Sequence, residues 1–265
     1  MHLTAKFNLA ILAAFGVGLL VAVIVLDLVA AKLARHQVLE NARIMMTAAN
    51  GIREYTAQHL VPLLPIEHDG KFVPENVPAF SAQTTFKNIQ AAFAGYTYRE
   101  PALNPTNLID RAQDWEADII RLFRDEPTRP ELVLERDTPI GLTLNLARPI
   151  SIHDDACLTC HGTPSAAPAA LTQNYGTVSG FGWKLDETIG AQIVSVPMAV
   201  PLKLARRLYI TSLIALVGIF AVVFVVINLL LHHLVIAPVK RVSANRRGSQ
   251  LGRGARGALC QAWQR

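Results

Sequence analysis

The sequence predicts an α+β domain held between two transmembrane helices. Three features of the 265-residue chain predict this class: a long apolar run near each end, a helical spacing of apolar residues after the first run, and short alternating runs in the second half. Helices followed by several strands are typical of α+β domains, in which helices pack against an antiparallel sheet.

Two apolar runs account for much of the high apolar content, which is 51%. Residues 7–26 and 209–231 carry no charged side chain, and each has about the 20 residues that a helix needs to cross a membrane. The first run would also suit a cleaved signal peptide, because Leu28-Val29-Ala30 offers small residues for processing. It is longer than the roughly 7–15 apolar residues of a signal peptide, which favours an uncleaved anchor.

A helix is predicted to continue from the first run over residues 30–64. A set of seven mostly apolar residues recurs in steps of three and four, which places them on one helical face. These residues are Val38, Ala42, Met45, Ala49, Ile52, Thr56 and His59. Pro62 and Pro65 end this helix. A loop-rich stretch follows, with prolines at Pro74, Pro78, Pro101 and Pro105. The next predicted helix covers residues 110–124.

Four short runs alternate between apolar and polar residues and predict strands: residues 131–136, 143–148, 181–185 and 188–196. The stretch 162–170, rich in Pro, Ala and Ser, predicts a loop. Helices followed by these strands complete the α+β prediction.

The basic residues predict the orientation of the chain. Seven Lys and Arg side chains and no acidic one follow the second apolar run, whereas only Lys203, Arg206 and Arg207 closely precede it. The positive-inside rule then places the C-terminus in the cytoplasm and the central domain in the periplasm, at the inner membrane of a bacterium. The basic tail, which explains the net charge of +5, suits a membrane surface. It lacks the interleaved aromatic residues that would favour a nucleic-acid partner.

The chain is therefore predicted to have four parts. Residues 1–33 form an N-terminal transmembrane anchor, and residues 34–205 form the periplasmic domain. Residues 206–233 form the second transmembrane helix, and residues 234–265 form a basic tail.

The motif Cys157-Leu158-Thr159-Cys160-His161 predicts one covalently attached c-type haem. Two thiols with two residues between them reach the two vinyl groups on the same edge of a porphyrin, and the adjacent His161 supplies an imidazole to the iron. A disulfide-exchange motif would usually follow a strand in a thioredoxin-like setting, which is missing here. A zinc site would need further ligands at similar spacing, and the remaining cysteine, Cys260, lies across the membrane.

The sixth iron ligand is left open by the sequence. Met45 and Met46 lie on the first long helix, where a methionine could ligate the iron or simply pack in the core. The other candidates are an open position and the side chains His36, His59, His68, His153 and Met198. Arg148, shortly before the motif, is a candidate partner for a haem propionate or a plain surface arginine.

Several short segments together resemble the family of single-haem, PAS-like periplasmic domains that occur alone and at the front of membrane sensor proteins. Apart from the haem motif, the resemblance is carried by residues 50–56 (NGIREYT), 104–107 (NPTN), 147–150 (ARPI), 190–191 (GA) and 196–198 (VPM). It implies an antiparallel sheet that cups the haem and a long N-terminal helix beside it. A structurally known member takes a distal cysteine from that helix; this helix has none, which leaves Met45 or Met46 as the substitute.

Residues 236–242 (IAPVKRV) are similar to the start of a HAMP linker, but the pattern is lost in the Arg- and Gly-rich stretch 244–265. The resemblance implies a membrane-anchored sensor input domain that responds to redox state or to a diatomic gas and that works as a homodimer. The alternative is a tethered monohaem cytochrome that exchanges electrons with a redox partner. No set of catalytic residues stands out, so no enzyme activity is expected.

Overall fold

The computed structural model describes residues 3–238 of the chain. Two units can be distinguished: one combines residues up to Ala30 with those from Arg206 onward, and the other is Ala31–Ala205. Most of the predicted tail, including the HAMP-like residues from position 239 onward and Cys260, lies outside the described residues. The four predicted domain boundaries stay predictions.

The first unit is built from two apolar helices. Helix α1 (Leu3–Tyr55) begins in this unit, and helix α6 (Ala199–Leu231) ends in it. By length and composition, both are apolar enough to cross a membrane. Phe15 and Phe220 stack with ring centroids 5.0 Å apart, so the two helices contact each other within this unit. The two predicted spans thus correspond to continuous helices.

The second half of α1 has the predicted apolar face. Val38, Ala42, Met46 and Ala49 are completely buried on it, whereas Met45 is only partly buried. The helix continues as a π-helical turn over Thr56–Leu60 and ends shortly before the prolines that the sequence analysis named. The prediction of a long N-terminal helix is confirmed, with Met46 rather than Met45 at the centre of its face.

The prediction of a loop after residue 64 is wrong in part, because helix α2 occupies Pro78–Ala92. Pro78 is at the first helical turn, where the missing N–H costs no intrahelical hydrogen bond. A small hairpin precedes it, formed by β1 (Glu67–His68) and β2 (Lys71–Phe72). Helix α3 (Asp114–Asp125) confirms the other predicted helix. Part of the predicted loop after the haem motif is also helical, as α5 (Ala169–Tyr175).

A four-stranded antiparallel sheet forms the centre of the second unit. Its strands are β3 (Thr97–Arg99), β4 (Leu132–Thr138), β5 (Gly141–Ser151) and β6 (Thr188–Pro197), in the spatial order β3-β6-β5-β4. The α+β class is therefore confirmed.

The predicted strand over residues 181–185 does not form. Gly180 and Gly182 both have a left-handed backbone, with φ of +83° and +77°, and this conformation interrupts an extended ladder. The segment instead makes backbone hydrogen bonds to His161 and Gly162.

The two faces of the sheet are covered by different helices. Leu144, Leu146, Val194 and Val196 are buried in one cluster with the apolar face of α1. On the other face, Ala147, Ala191 and Ile193 are buried with Ile120 and Phe123 of α3. Alternating side chains along β5 and β6 thus fill both cores, as expected of strands covered on both faces.

Ion pairs join α1 to the outer strand β4. Arg35 contacts Glu135 at 2.6 Å, and Arg43 contacts Glu131 at 2.7 Å. Glu131 also lies 3.3 Å from Arg148 of β5. Hydrogen bonds from the two arginines, Arg43 above all, lower the pKa of the Glu131 carboxyl below its usual range. These pairs attach the helix to the edge of the sheet opposite β3.

Candidate functional site

The Cys-x-x-Cys-His motif lies on a single turn of helix. A 3₁₀ turn (Asp155–Cys157) leads directly into helix α4 (Leu158–His161), and the Asp154 carboxylate caps the turn by accepting from the Ala156 N–H at 2.8 Å. Because residues three and four apart share a helical face, Cys157 lies on the same side as Cys160 and His161. The fold therefore brings all three predicted site residues together.

Both sulfurs of the motif are free thiols and partly buried. Burial raises the pKa of each thiol, and the negative charge of Asp154 raises that of Cys157 further. Disulfide-exchange motifs have the opposite character, since they depend on a thiolate stabilised by a lowered pKa. The environment therefore favours neutral thiols. Within residues 3–238, no group of three or more His, Cys, Asp and Glu side chains is arranged to hold a metal ion alone.

The imidazole of His161 has one nitrogen fixed by hydrogen bonds. Nδ1 lies 2.8 Å from the carbonyl oxygen of Gly180 and 3.2 Å from the Thr106 hydroxyl. A carbonyl oxygen can only accept, so Nδ1 must carry the proton and donate it. Nε2 then has an unshared electron pair, which is the state that a metal ligand requires.

The His161 ring is also restrained from rotating. It stacks on the indole of Trp183, with centroids 3.8 Å apart and planes inclined by 13°. The backbone N–H of Trp183 donates to the backbone carbonyl of His161 at 3.2 Å, and that of Gly182 donates to the carbonyl of Gly162 at 2.7 Å. Burial lowers the pKa of His161, although the Gly180 carbonyl acts in the opposite direction. The imidazole is therefore held neutral and in one orientation.

The loop opposite His161 is held by Asn104. Its amide donates to the Phe181 carbonyl and accepts from the Gly180 N–H, both at 3.0 Å. Gly180 is buried, and a Cβ added to it would lie 2.6 Å from the Cα of Thr106. Only glycine fits this position, and Asn104 links the NPTN segment to the loop that contacts the histidine.

Apolar side chains surround Cys157. Ala102, Ile152 and Ile189 are buried here, and the partly buried residues packed against them are Ile150, Cys157, Leu158 and Trp183. This cluster is separate from the clusters under α1 and α3. An apolar surface beside two thiols and an imidazole whose Nε2 carries an unshared electron pair suits the flat, apolar face of a porphyrin.

A buried polar network lies between α1 and the sheet. Glu100 is 6% exposed; its carboxylate accepts from the Tyr98 hydroxyl at 2.7 Å and pairs with Arg53 of α1. The Gln192 amide donates to the Tyr98 hydroxyl at 3.0 Å and to the Asn50 side chain at 2.6 Å. Burial, followed by the charge of Glu100, raises the pKa of Tyr98. Two members of the network come from α1, so it ties this helix to β3 and β6.

We expect Glu100→Ala to lower the free energy of unfolding by about 3–5 kcal/mol, because it leaves the paired Arg53 and Tyr98 without their buried acceptor. Urea unfolding of the full chain in detergent measures this. Asp118→Ala is the matched control, since Asp118 pairs with Arg121 on the surface, where both side chains are more than half exposed; it should cost less than about 1 kcal/mol. Equal effects of the two variants would contradict this description of the network.

Met45 and Met46, the two methionines predicted as candidate sixth ligands, belong to α1. Met46 is completely buried among Val38, Ala42 and the sheet residues, and Met45 packs against the same cluster. No residue of the Cys157–His161 motif belongs to that cluster. Iron ligation by either methionine stays a prediction.

The other predicted candidates are spread over the second unit. His36, His59 and His68 are exposed, His153 is exposed and lies 3.3 Å from Asp186, and Met198 is buried in the cluster under α1. Arg148 is engaged with Glu131, and its role toward a propionate stays a prediction.

Sequence reasoning missed the contacts of Asn104, Thr106 and Gly180 with the site. Asn107 of the NPTN segment makes a local contact, since its side chain accepts from the Ile109 N–H at 3.2 Å. Thr106 lies 55 positions from His161, and Asn104 lies 76 positions from Gly180. Only the recurrence of NPTN in the family resemblance pointed to them.

The family model described as Tll0287-like matches residues 31–197, well over half of the chain. Among solved structures, the cyanobacterial haem protein Tll0287 is similar, with 16% identity and a TM-score of 0.47 over 60% of this chain and 94% of that one. No curated protein matches the chain.

Proposed function

This chain belongs to the Tll0287-like family, and on that basis we propose that it is a membrane-anchored sensor input domain carrying one covalent c-type haem. Cys157 and Cys160 would attach the haem, and His161 would ligate its iron. The solved protein of the same name is described as a haem protein.

The observation that carries the proposal is the state of His161. Its Nδ1 donates to the Gly180 carbonyl, which leaves Nε2 free to bind a metal. Two free thiols lie on the same helical turn. A metal-binding imidazole beside two thiols that favour the neutral form fits c-type haem attachment better than zinc binding or disulfide exchange.

The residues have distinct roles in this proposal. Each thiol would add across one vinyl group, so that sulfur bonds to one carbon and hydrogen to the other, with no net oxidation. The apolar cluster around Cys157 would exclude water from that edge. Trp183 keeps the imidazole from turning away. When bound, haem supplies an iron that exchanges electrons and binds small ligands.

The connections of the site to the two apolar helices support a sensor. Helix α1 runs without interruption from the first apolar run to Tyr55. A single residue, Met198, separates the end of β6 from the start of α6. Gln192 of β6 donates to Asn50 of α1 at 2.6 Å, close to where β6 passes the apolar cluster at Ile189. A change at the haem would therefore act on two elements that lead toward the membrane.

The proposal includes the location and assembly that the sequence implies. The domain would lie in the periplasm because the basic residues concentrate after the second apolar run. It would act as a homodimer on redox or gas signals and would relay them through a HAMP-like linker. We propose no enzyme activity.

The test uses the full chain, purified in detergent from a host that attaches c-type haem. We expect haem to remain bound after denaturation. We also expect that reduction, or CO binding to the reduced form, changes backbone hydrogen exchange in residues 49–56 and 188–197.

Absence of covalent haem would overturn the whole proposal. Unchanged hydrogen exchange together with rapid, reversible reduction would overturn the sensor and leave the tethered electron carrier, the alternative that the sequence also allowed.

A further inference from the structure

We propose that Asn104 is a positioning residue that fixes which nitrogen of His161 carries the proton, acting through the peptide group between Gly180 and Phe181. This inference rests on the proposed function for its significance, because the fixed proton directs Nε2 toward iron. The arrangement itself is a property of the chain without its cofactor.

The first step is the contact between His161 and Gly180. The Gly180 carbonyl oxygen lies 2.8 Å from Nδ1, within the range of a good hydrogen bond. With the proton on Nε2 instead, two unshared pairs would face each other at this distance. The position of one backbone carbonyl therefore decides the tautomer.

The second step is how that carbonyl is held. The segment around Gly180 belongs to no strand, so no ladder fixes its peptide planes. Asn104 bonds to the chain on both sides of the Gly180–Phe181 peptide: it accepts from the N–H of Gly180 and donates to the C=O of Phe181, each at 3.0 Å. One side-chain amide thus fixes the plane whose oxygen accepts from His161.

The third step is a second contact that the segment carrying Asn104 makes with the site. Thr106 lies two residues further along, packs closely against Gly180, and places its hydroxyl 3.2 Å from Nδ1. A short segment therefore contacts both the acceptor and the imidazole. This connection explains why glycine, with φ of +83°, occupies position 180.

The consequence for a bound iron has a definite direction. A histidine that donates a hydrogen bond through Nδ1, the nitrogen that does not bind the metal, is a more basic ligand than one without that bond. Hydrogen-bond partners of this kind are important for metal affinity. A more basic ligand stabilises the oxidised iron. Removal of Asn104 should therefore raise the reduction potential.

The experiment measures the tautomer directly in the haem-free full chain, labelled with ¹⁵N-histidine in detergent micelles. His161→Gln identifies the His161 signals. In the wild type we expect the proton on Nδ1. In Asn104→Ala we expect the ratio of Nδ1–H to Nε2–H to fall by about threefold to tenfold, which corresponds to the net strength of one hydrogen bond. Asn107→Ala, in the same loop, should change nothing, since within residues 3–238 the Asn107 side chain bonds only to the Ile109 N–H of its own turn.

Asn104→Asp guards against a variant that fails to fold, because it keeps the acceptor for the Gly180 N–H and replaces the donor to Phe181 with a carboxylate oxygen. It should show a smaller change in the same direction. A wild-type ring protonated at Nε2, or a folded Asn104→Ala chain with an unchanged tautomer, would overturn the inference.

The potential of the haem-loaded chain is the second measurement. A higher potential in Asn104→Ala than in Asn107→Ala supports the inference, and equal potentials contradict it. Failure of haem attachment would affect only this second measurement, so it can be told apart from failure of the tautomer prediction.

Discussion

Replacing Cys157 and Cys160 together by alanine is expected to abolish covalent haem while leaving the chain folded. Both thiols are only partly buried and are free of disulfide bonds, so truncation removes little packing. Each single variant should keep one thioether bond. The measurement is haem retained on the full chain after denaturation, together with the shift of the reduced absorption band that reports the number of saturated vinyl groups.

Cys260→Ala is the matched control for these variants, because Cys260 is the third cysteine of the sequence and is not part of the Cys157–His161 motif. It should retain all the haem. Haem that stays covalently bound in the double variant, or that is lost in Cys260→Ala, would mean that the attachment site has been wrongly assigned.

Gly180→Ala is expected to lower the free energy of unfolding by about 2–5 kcal/mol. A left-handed backbone costs an L-residue roughly 1–2 kcal/mol. Overpacking adds about 1–3 kcal/mol, because the new Cβ would meet Thr106, with the Cα atom of that residue 2.6 Å away. The loop would have to move, and the hydrogen bond to His161 would lengthen.

Gly182→Ala separates these two causes. Gly182 has a similar φ of +77°, but an added Cβ would have no atom within 4 Å. Its cost should be only the backbone contribution, roughly 1–2 kcal/mol. Urea unfolding of the two variants in parallel measures the difference, and a Gly180 variant no less stable than the Gly182 variant would show that Thr106 does not confine position 180.

Local patterns predicted much of the fold. The spacing of Val38, Ala42 and Ala49 identified the buried face of α1, because a helical period is readable from the sequence alone. The alternation of apolar and polar residues predicted the strands β4, β5 and β6. Helix α2 was missed because Pro78 was interpreted as part of a loop, although a proline at the first turn can equally begin a helix.

The site was predicted only as far as it is local. Cys157, Cys160 and His161 are adjacent in sequence, and their chemistry is specified by their spacing. The bonds of Asn104 to Gly180 and Phe181 join residues more than 70 positions apart, which no periodicity reveals. Arg53 and Glu100 likewise pair only because α1 packs on β3.

The ion pairs between α1 and the sheet edge limit how this helix can move. Arg35 and Arg43 are eight residues apart on a helix, about 12 Å, and their partners Glu135 and Glu131 are four residues apart on extended chain, about 13 Å. The two spacings agree, with helix and strand running in opposite directions. A slip by one helical turn, about 5.4 Å, would break both pairs at once. Movement of α1 along its own axis relative to the sheet would therefore break both pairs together, so the two pairs favour the one register in which both spacings match.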